Sequence, residues 1–310
     1  MTFPDDMSSA LPTVSAVVGT HDRPVLLRRA VTSILEQDYP GTIECIVVRD
    51  RCQDDLSMTD LPPGRSVIVV DNVRSPGLAG ARNTGINRAS GELIAFCDDD
   101  DEWLPGKISV QVEMLSQHPE ASLVATGIRI VTADDAVTRI PPAQVTLPDL
   151  LRSRVAQIHP SSFLLRRDDL IAAGLVDEEV PSSFGEDYEL MLRLARRGPI
   201  VSVTAPLTVV HWDRLSFFST RWNGICDGLG YILTKFPEFN SDRVGRARLR
   251  GQIAFAHAAA HRRRDATRWA AATLRDDPRQ LRGYAALAVA TGLVPPQALL
   301  ERVNAHGRGL

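Results

Sequence analysis

Short apolar runs alternate with helical periodicities over the first third of the chain. Residues 13–19 (TVSAVVG) form an apolar run bounded by turn residues, and Leu27, Ala30, Val31, Ile34 and Leu35 then recur at i, i+3, i+4, i+7 and i+8. That pattern predicts a strand followed by a helix, with Asp22 as its cap and Pro24 in its first turn. Residues 42–48 (TIECIVV), 66–70 (SVIVV) and 92–97 (ELIAFC) are further runs of strand length, the last two separated by a helical stretch over 80–89. Continuous rather than alternating apolar strands, spaced by helices, predict an α/β fold with a mostly parallel sheet covered on both faces. In such sheets ligands bind beyond the strands' carboxyl ends. The residues there are polar each time: Thr20-His21-Asp22, Arg49-Asp50-Arg51, and the run Asp98-Asp99-Asp100-Asp101. One acidic crevice is the expectation.

Further along, the pattern predicts helices over 104–115 and 186–197 and strands over 122–131, 162–165 and 207–211. Pro141-Pro142 and Pro148 mark an irregular loop. From about Ser216 the chain reads as helical and rich in Ala and Arg, with breaks at Pro237, Pro278 and Pro295-Pro296. The expected organisation is an N-terminal extension (1–12), a catalytic domain (13–215) and a helical C-terminal region (216–310).

Composition adds one fact to this. The net charge of -3 is a cancellation, because residues 243–310 hold thirteen arginines, no lysine and only four acids, so the body is acidic and the tail basic. Tail aromatics do not interleave with the arginines, so no nucleic-acid partner is expected. Docking or homo-oligomer assembly through the helical tail is the plainer reading, and peripheral membrane contact stays open. The four cysteines are scattered without a CxxC pair, which excludes a zinc knuckle and fits reduced thiols. No signal-like or membrane-spanning apolar stretch is present, so a cytoplasmic protein, with a membrane-peripheral variant of that reading, is expected.

Four consecutive aspartates repel one another unless something positive is bound. A hard divalent cation suits carboxylate oxygens, whereas a solvated acidic turn is the bland alternative. An EF-hand is excluded, since Trp103 stands where Gly is required and Ser109 where the bidentate Glu belongs.

Four ordered blocks carry a resemblance: VSAVVGTHDRPVLLRRAVTSILEQDYP, GLAGARNTGINRASG, GELIAFCDDDDEWLPGKI and FGEDYELMLRLARRG. Together, over roughly residues 13–213, they resemble family-2 glycosyltransferases of the GT-A fold, a Rossmann-like sheet flanked by helices, here with a C-terminal helical appendage. The resemblance implies an inverting, metal-dependent transfer of a sugar from a nucleoside-diphosphate sugar, with Mn2+ or Mg2+ as the cation. It places the DXD motif in the acidic run: Asp98 and Asp100 toward the metal, Asp99 toward ribose or metal, and Asp101 outside it as a helix cap. Trp103 reads as a core anchor. Asp187 takes the role of general base, and Glu186 touches acceptor or backbone. Asp50 reads the nucleobase, and Thr20, His21 and Asp22 line the nucleotide pocket. Arg82 with Asn83 either faces the diphosphate or forms a structural ion pair with the aspartates. His211 reaches metal or diphosphate, or is structural. The segment His159-Pro160-Ser161-Ser162 resembles one lining the acceptor side.

Some positions depart from the family pattern. Arg49-Asp50-Arg51-Cys52 replaces an acidic pair followed by Gly, and His21-Asp22 replaces Tyr-Asn, so uridine is not implied. The acceptor, whether saccharide, lipid-linked, natural product or peptide, is not written in the chain. Two competing classes are a catalytically silent nucleotide-sugar-binding scaffold, for which loss of Asp100 or Asp187 would be the sign, and a sugar-phosphate nucleotidyltransferase, which lacks here its Gly-rich opening loop.

Overall fold

The computed structural model describes residues 11–53, 56–133, 135–212 and 222–299. These divide into two compact units. The first comprises the described residues of Met1–Thr146, Val155–Glu178 and Leu190–Asp213, and the second those of Leu147–Arg154, Glu179–Glu189 and Arg214–Leu310.

The first unit is built on β1 (Val14–Thr20), β2 (Ile43–Arg49), β3 (Arg65–Asp71), β4 (Leu93–Asp98), β5 (Glu102–Trp103), β6 (Leu123–Val131), β7 (Ala136–Arg139), β8 (Gln144–Val145), β9 (Leu164–Arg166) and β10 (Ile200–His211). They form one sheet of order β3-β2-β1-β4-β9-β6-β10-β5, with β7 against β6 and β8 against β10. The long strands run parallel in β3-β2-β1-β4 and again in β6-β10, while the short β9 joins β4 to β6 antiparallel.

Two helices, α1 (Pro24–Leu35) and α2 (Leu78–Arg88), follow β1 and β3, and α3 (Lys107–Gln117) follows β5. On one face of the sheet, Val14, Ala16 and Val18 of β1 join Leu27, Val31 and Ile34 of α1 and Ile108 and Leu115 of α3 in the main core. Facing the other way, Val17 lies against Gly85 of α2 so closely that a Cβ there would come within 2.3 Å of its Cγ1. Burial on both faces explains why these strands read as unbroken apolar runs.

The remaining helices are α4 (Leu147–Arg152), α5 (Arg167–Ala172), α6 (Glu186–Ala195), α7 (Trp222–Lys235), α8 (Arg243–Ala259), α9 (Arg263–Asp276) and α10 (Leu281–Ala290). In the second unit α8, α9 and α10 pack through small side chains, Ala254, Ala258, Ala266, Ala270 and Ala286, around Phe255. A buried Asp276 ties α9 to α8, accepting from Arg246 (2.8 and 2.9 Å) and Arg250 (2.6 Å).

Several expectations need correction. Asp22 does not cap α1: its φ is +54°, and Arg23 holds the N-cap position without its side chain capping the helix, although Pro24 does open the helix. Asp101 is no cap either, because β5 intervenes and α3 starts only at Lys107 behind Gly106, whose φ of +83° suits a glycine. The strand expected over 162–165 begins at Leu164, since Pro160–Ser162 closes a 3-10 turn. The strand at 207–211 is twelve residues long, and its register shifts around Pro206, which cannot donate to a regular ladder. Within the expected loop around the prolines, β8 and α4 form.

Candidate active site

Strand register brings the predicted residues to one edge. Thr20 pairs with Arg49 across β1 and β2, Gly19 pairs with Asp98 across β1 and β4, and Arg49 pairs with Asp71. The polar tails of four neighbouring parallel strands therefore emerge together.

The four aspartates are separated by their partners. Asp98 accepts from the buried Arg82 at 2.8 Å. Asp99 accepts from Thr20 Oγ1 at 2.9 Å and shares Arg23 Nη1 with Asp100, at 3.1 and 2.8 Å. Asp101 turns inward, where it accepts from Ser161 Oγ at 2.5 Å and lies 3.4 Å from His159 Nδ1. A turn explains the division: the Asp101 N–H bonds the Asp98 carbonyl at 3.1 Å, which returns the first and fourth carboxylates toward each other.

Burial pushes Asp99 up to about 6 against the pull of Arg23. Burial and then Asp98 raise Asp100 and, much further, Asp101. Carboxylates held this way are costly as anions without a compensating cation.

One atom each from Asp98, Asp101 and His159 lies within 4.8 Å of the other two, which makes them a candidate metal cluster among the described residues. Two carboxylates and an imidazole are a donor set compatible with Mn2+. The expected ligand Asp98 belongs to this cluster. Asp100 does not, being held by Arg23, and neither does His211, whose Nε2 is 2.7 Å from Glu102 Oε1. His211 instead contributes its backbone N–H to Asp101.

On the nucleotide side, Asp50 is buried and accepts from Asn72 Nδ2 and from the Gly77 N–H, both at 2.9 Å. His21 is largely exposed, and its Nδ1 is 2.6 Å from the Asp50 carbonyl. Asp22 and Arg51 both adopt positive φ, an uncommon conformation for these residues, in the two loops that follow β1 and β2. Asn83 faces away from the acidic run: its amide binds the Val176 backbone and Glu178. Glu178 in turn accepts from Ser75 and Arg74, which holds the loop between β3 and α2.

In the second unit, Glu186 and Asp187 open α6 behind Gly185, whose φ is +87°, and both are buried. Arg154 Nη2 grips both oxygens of Asp187, at 2.7 and 2.5 Å, and Asp187 raises the guanidinium's pKa.

Five contributors escaped the sequence reading: Arg23, Arg154, Glu178, and the pair Asp101 and His159 as cluster members. His159 carried a signal, standing before Pro-Ser-Ser in a segment expected on the acceptor side rather than at the metal. Arg23 and Glu178 carried none, since their partners lie 76 or more residues away in sequence.

A model of glycosyl transferase family 2 matches residues 15–172, half of the chain. The chain belongs to this family. Among curated relatives, a Campylobacter jejuni GalNAc(5)-diNAcBac-PP-undecaprenol beta-1,3-glucosyltransferase is 33% identical over 111 residues, covering 34% of this chain and 36% of the relative. The Escherichia coli UDP-Glc:alpha-D-GlcNAc-diphosphoundecaprenol beta-1,3-glucosyltransferase WfgD is 29% identical over 142 residues, 45% of this chain and 55% of the relative. The chain thus spans between about a third and just over half of these relatives' length. Among solved structures, S. aureus TarS 1-349 in complex with UDP-GlcNAc superposes with a TM-score of 0.60 at 17% identity, over 96% of this chain and 92% of that one. The mannosyltransferase PcManGT from Pyrobaculum calidifontis, in complex with GDP-Man and Mn2+, gives 0.55 at 19% identity, over 96% and 81%. The family-2 chain has the GT-A fold with C-terminal helices.

Proposed function

We propose that this family-2 chain is an inverting glycosyltransferase that moves a sugar from a nucleoside-diphosphate sugar to an acceptor hydroxyl. The observation that carries the reading is the gathering of Asp98, Asp99, Asp101 and His159 at the carboxyl edge of parallel strands, beside Thr20 and Asp50. Asp98, Asp101 and His159 would hold a divalent ion, which supplies Lewis-acid stabilisation of the departing diphosphate. Asp99, which accepts from Thr20 and Arg23, would take the ribose. Asp50, held by Asn72 and Gly77, would form a wall of the base pocket, with His21 offering a ring for stacking.

Asp187 takes the acceptor proton. A general base must be ionised at working pH, and the Arg154 pair supports that ionised form. Its carboxylate must exchange part of this pairing for the acceptor hydroxyl during turnover.

The relatives' names favour UDP-glucose as donor and a diphosphate-linked polyprenyl saccharide as acceptor. No helix among the described residues is long and apolar enough to cross a membrane. The test is calorimetry with UDP, GDP, ADP, CDP and dTDP, each with and without Mn2+. UDP should bind in a metal-dependent way. Absence of metal-dependent binding for every nucleotide would sink the proposal.

A further inference from the structure

Ser161 is completely buried and uses every polar atom it has on the acidic turn or on the elements flanking it. Its hydroxyl donates to Asp101 Oδ2 at 2.5 Å and accepts from the Asp98 backbone N–H at 3.0 Å. Its own N–H donates to His159 Nδ1 at 3.3 Å, which engages that nitrogen's lone pair and orients the ring. Its carbonyl accepts from the Trp103 indole N–H at 2.8 Å. Trp103 is buried in the main core, with the Lys107 ammonium 4.0 Å from its ring centroid. One serine therefore touches all three members of the Asp98, Asp101 and His159 cluster and is itself anchored to the core.

The local sequence builds this arrangement. Pro160 starts a 3-10 turn in which the N–H and hydroxyl of Ser162 both bond the His159 carbonyl, at 2.8 and 2.7 Å. The turn is rigid at both ends. It presents the Ser161 hydroxyl to the Asp98–Asp101 turn while fixing where the His159 ring stands.

We propose, resting on the reading that Asp98, Asp101 and His159 hold a divalent ion, that Ser161 is the positioning residue of that site. It does not ligate. Its hydroxyl holds Asp101 Oδ2, the oxygen that lies 3.4 Å from His159 Nδ1, fixes the Asp98 backbone, and sets the distance between the carboxylate pair and the imidazole. Outer-shell partners of this kind are typically worth about 10- to 100-fold in metal affinity.

The experiment titrates the full-length protein with Mn2+, following free Mn2+ by electron paramagnetic resonance, alone and in the presence of UDP. Ser161→Ala should bind Mn2+ about 10- to 100-fold more weakly than wild type, with the metal-free circular dichroism unchanged. A purely structural role would lower the metal-free melting temperature and leave the Mn2+ affinity where it was. That result, or equal affinity with equal stability, overturns the proposal. Should the alanine variant fail to fold, Ser161→Cys fills nearly the same space with a weak donor that is too soft to suit Mn2+. It must then show the same direction of loss, and unchanged affinity in that variant equally overturns the role. If wild type itself binds no Mn2+ with or without UDP, the metal reading fails and takes this role with it. An affinity lost in Asp98→Asn and Asp101→Asn but kept in Ser161→Ala condemns Ser161 alone.

Discussion

Glu178→Gln should destabilise the first unit through one loop. The carboxylate accepts from Asn83 Nδ2 (2.6 Å), Ser75 Oγ (2.6 Å), the Ser75 N–H (3.2 Å) and Arg74. Burial alone would raise its pKa, but the hydrogen bonds from Asn83, Ser75 and Arg74 outweigh it and bring the group from 4.5 down to about 2. A shift of that size corresponds to about 3 kcal/mol favouring the ionised folded form. Arg74 is 40% exposed, so solvent screening reduces the share of the ion pair, and about 2 kcal/mol is the expected loss in the glutamine variant. Gln keeps one carbonyl acceptor while presenting an amide to groups that are themselves donors. For a unit of this size the loss should appear as a fall of about 4–8 °C in the midpoint of thermal unfolding at pH 7.

The pH dependence gives the sharper check. Because the folded pKa lies below the unfolded one, the unfolded chain binds the extra proton first, and the stabilisation is complete above about 4.5 and fades toward about 2. The gap between wild type and Glu178→Gln should therefore be constant from pH 7 to about 5.5 and shrink by pH 3.5, read from thermal unfolding at each pH. A gap under about 0.5 kcal/mol at pH 7, or one that persists undiminished at pH 3.5, would refute the reasoning. The same variant should weaken nucleotide binding, since the Ser75 carbonyl holds Asn72 and Gly77 holds Asp50.

Gly80→Ala should lower stability by about 1–3 kcal/mol and weaken UDP binding in calorimetry, because a Cβ there would stand 1.9 Å from the Ser75 carbonyl oxygen. Lys107→Met should stabilise the protein by about 1 kcal/mol at pH 6, because the variant removes a fully buried ammonium that burial depresses to about 7. The unfolded chain holds that proton up to 10.5, so wild type gains stability between about pH 7 and 10.5 and the variant's advantage in chemical denaturation should shrink over that range. Asp187→Asn should cut kcat by about 10²–10⁴ while leaving nucleotide affinity intact, and a fully active variant would remove the base assignment.

How much of this could be read in advance depended on whether the determining contacts are local. The alternation of β and α elements between β1 and β4 was legible because strands buried on both faces must be continuously apolar, and α1 showed its buried stripe at helical spacing. Short strands such as β5, β7 and β8 were not legible, since two to four residues become strand only when a neighbour supplies the ladder. The acidic run was recognisable as chemistry, but its inner division was not. Proximity to Pro105 suggested that Asp101 capped a helix, whereas a turn and a two-residue strand intervene. That turn, which composition does not encode, is what returns Asp101 rather than Asp100 toward Asp98. Arg82 read equally well as a diphosphate contact or an ion-pair partner, and the structure places it on Asp98.

The division of the run also bears on how such a sequence can be stable before it meets a donor. Arg23, from the start of α1, serves Asp99 and Asp100, and Arg82, from within α2, serves Asp98, so guanidiniums reach the turn from helices that follow different strands. Two guanidiniums against four carboxylates leave a deficit equal to the charge of one divalent ion. Part of that deficit is met by burial, which favours the protonated forms of Asp99 and Asp101. A nucleoside diphosphate would add negative charge to the same edge and meet a deepened deficit there. A divalent ion at Asp98 and Asp101 would cancel that deficit, and for this reason nucleotide affinity, more than catalytic rate alone, should respond to the metal.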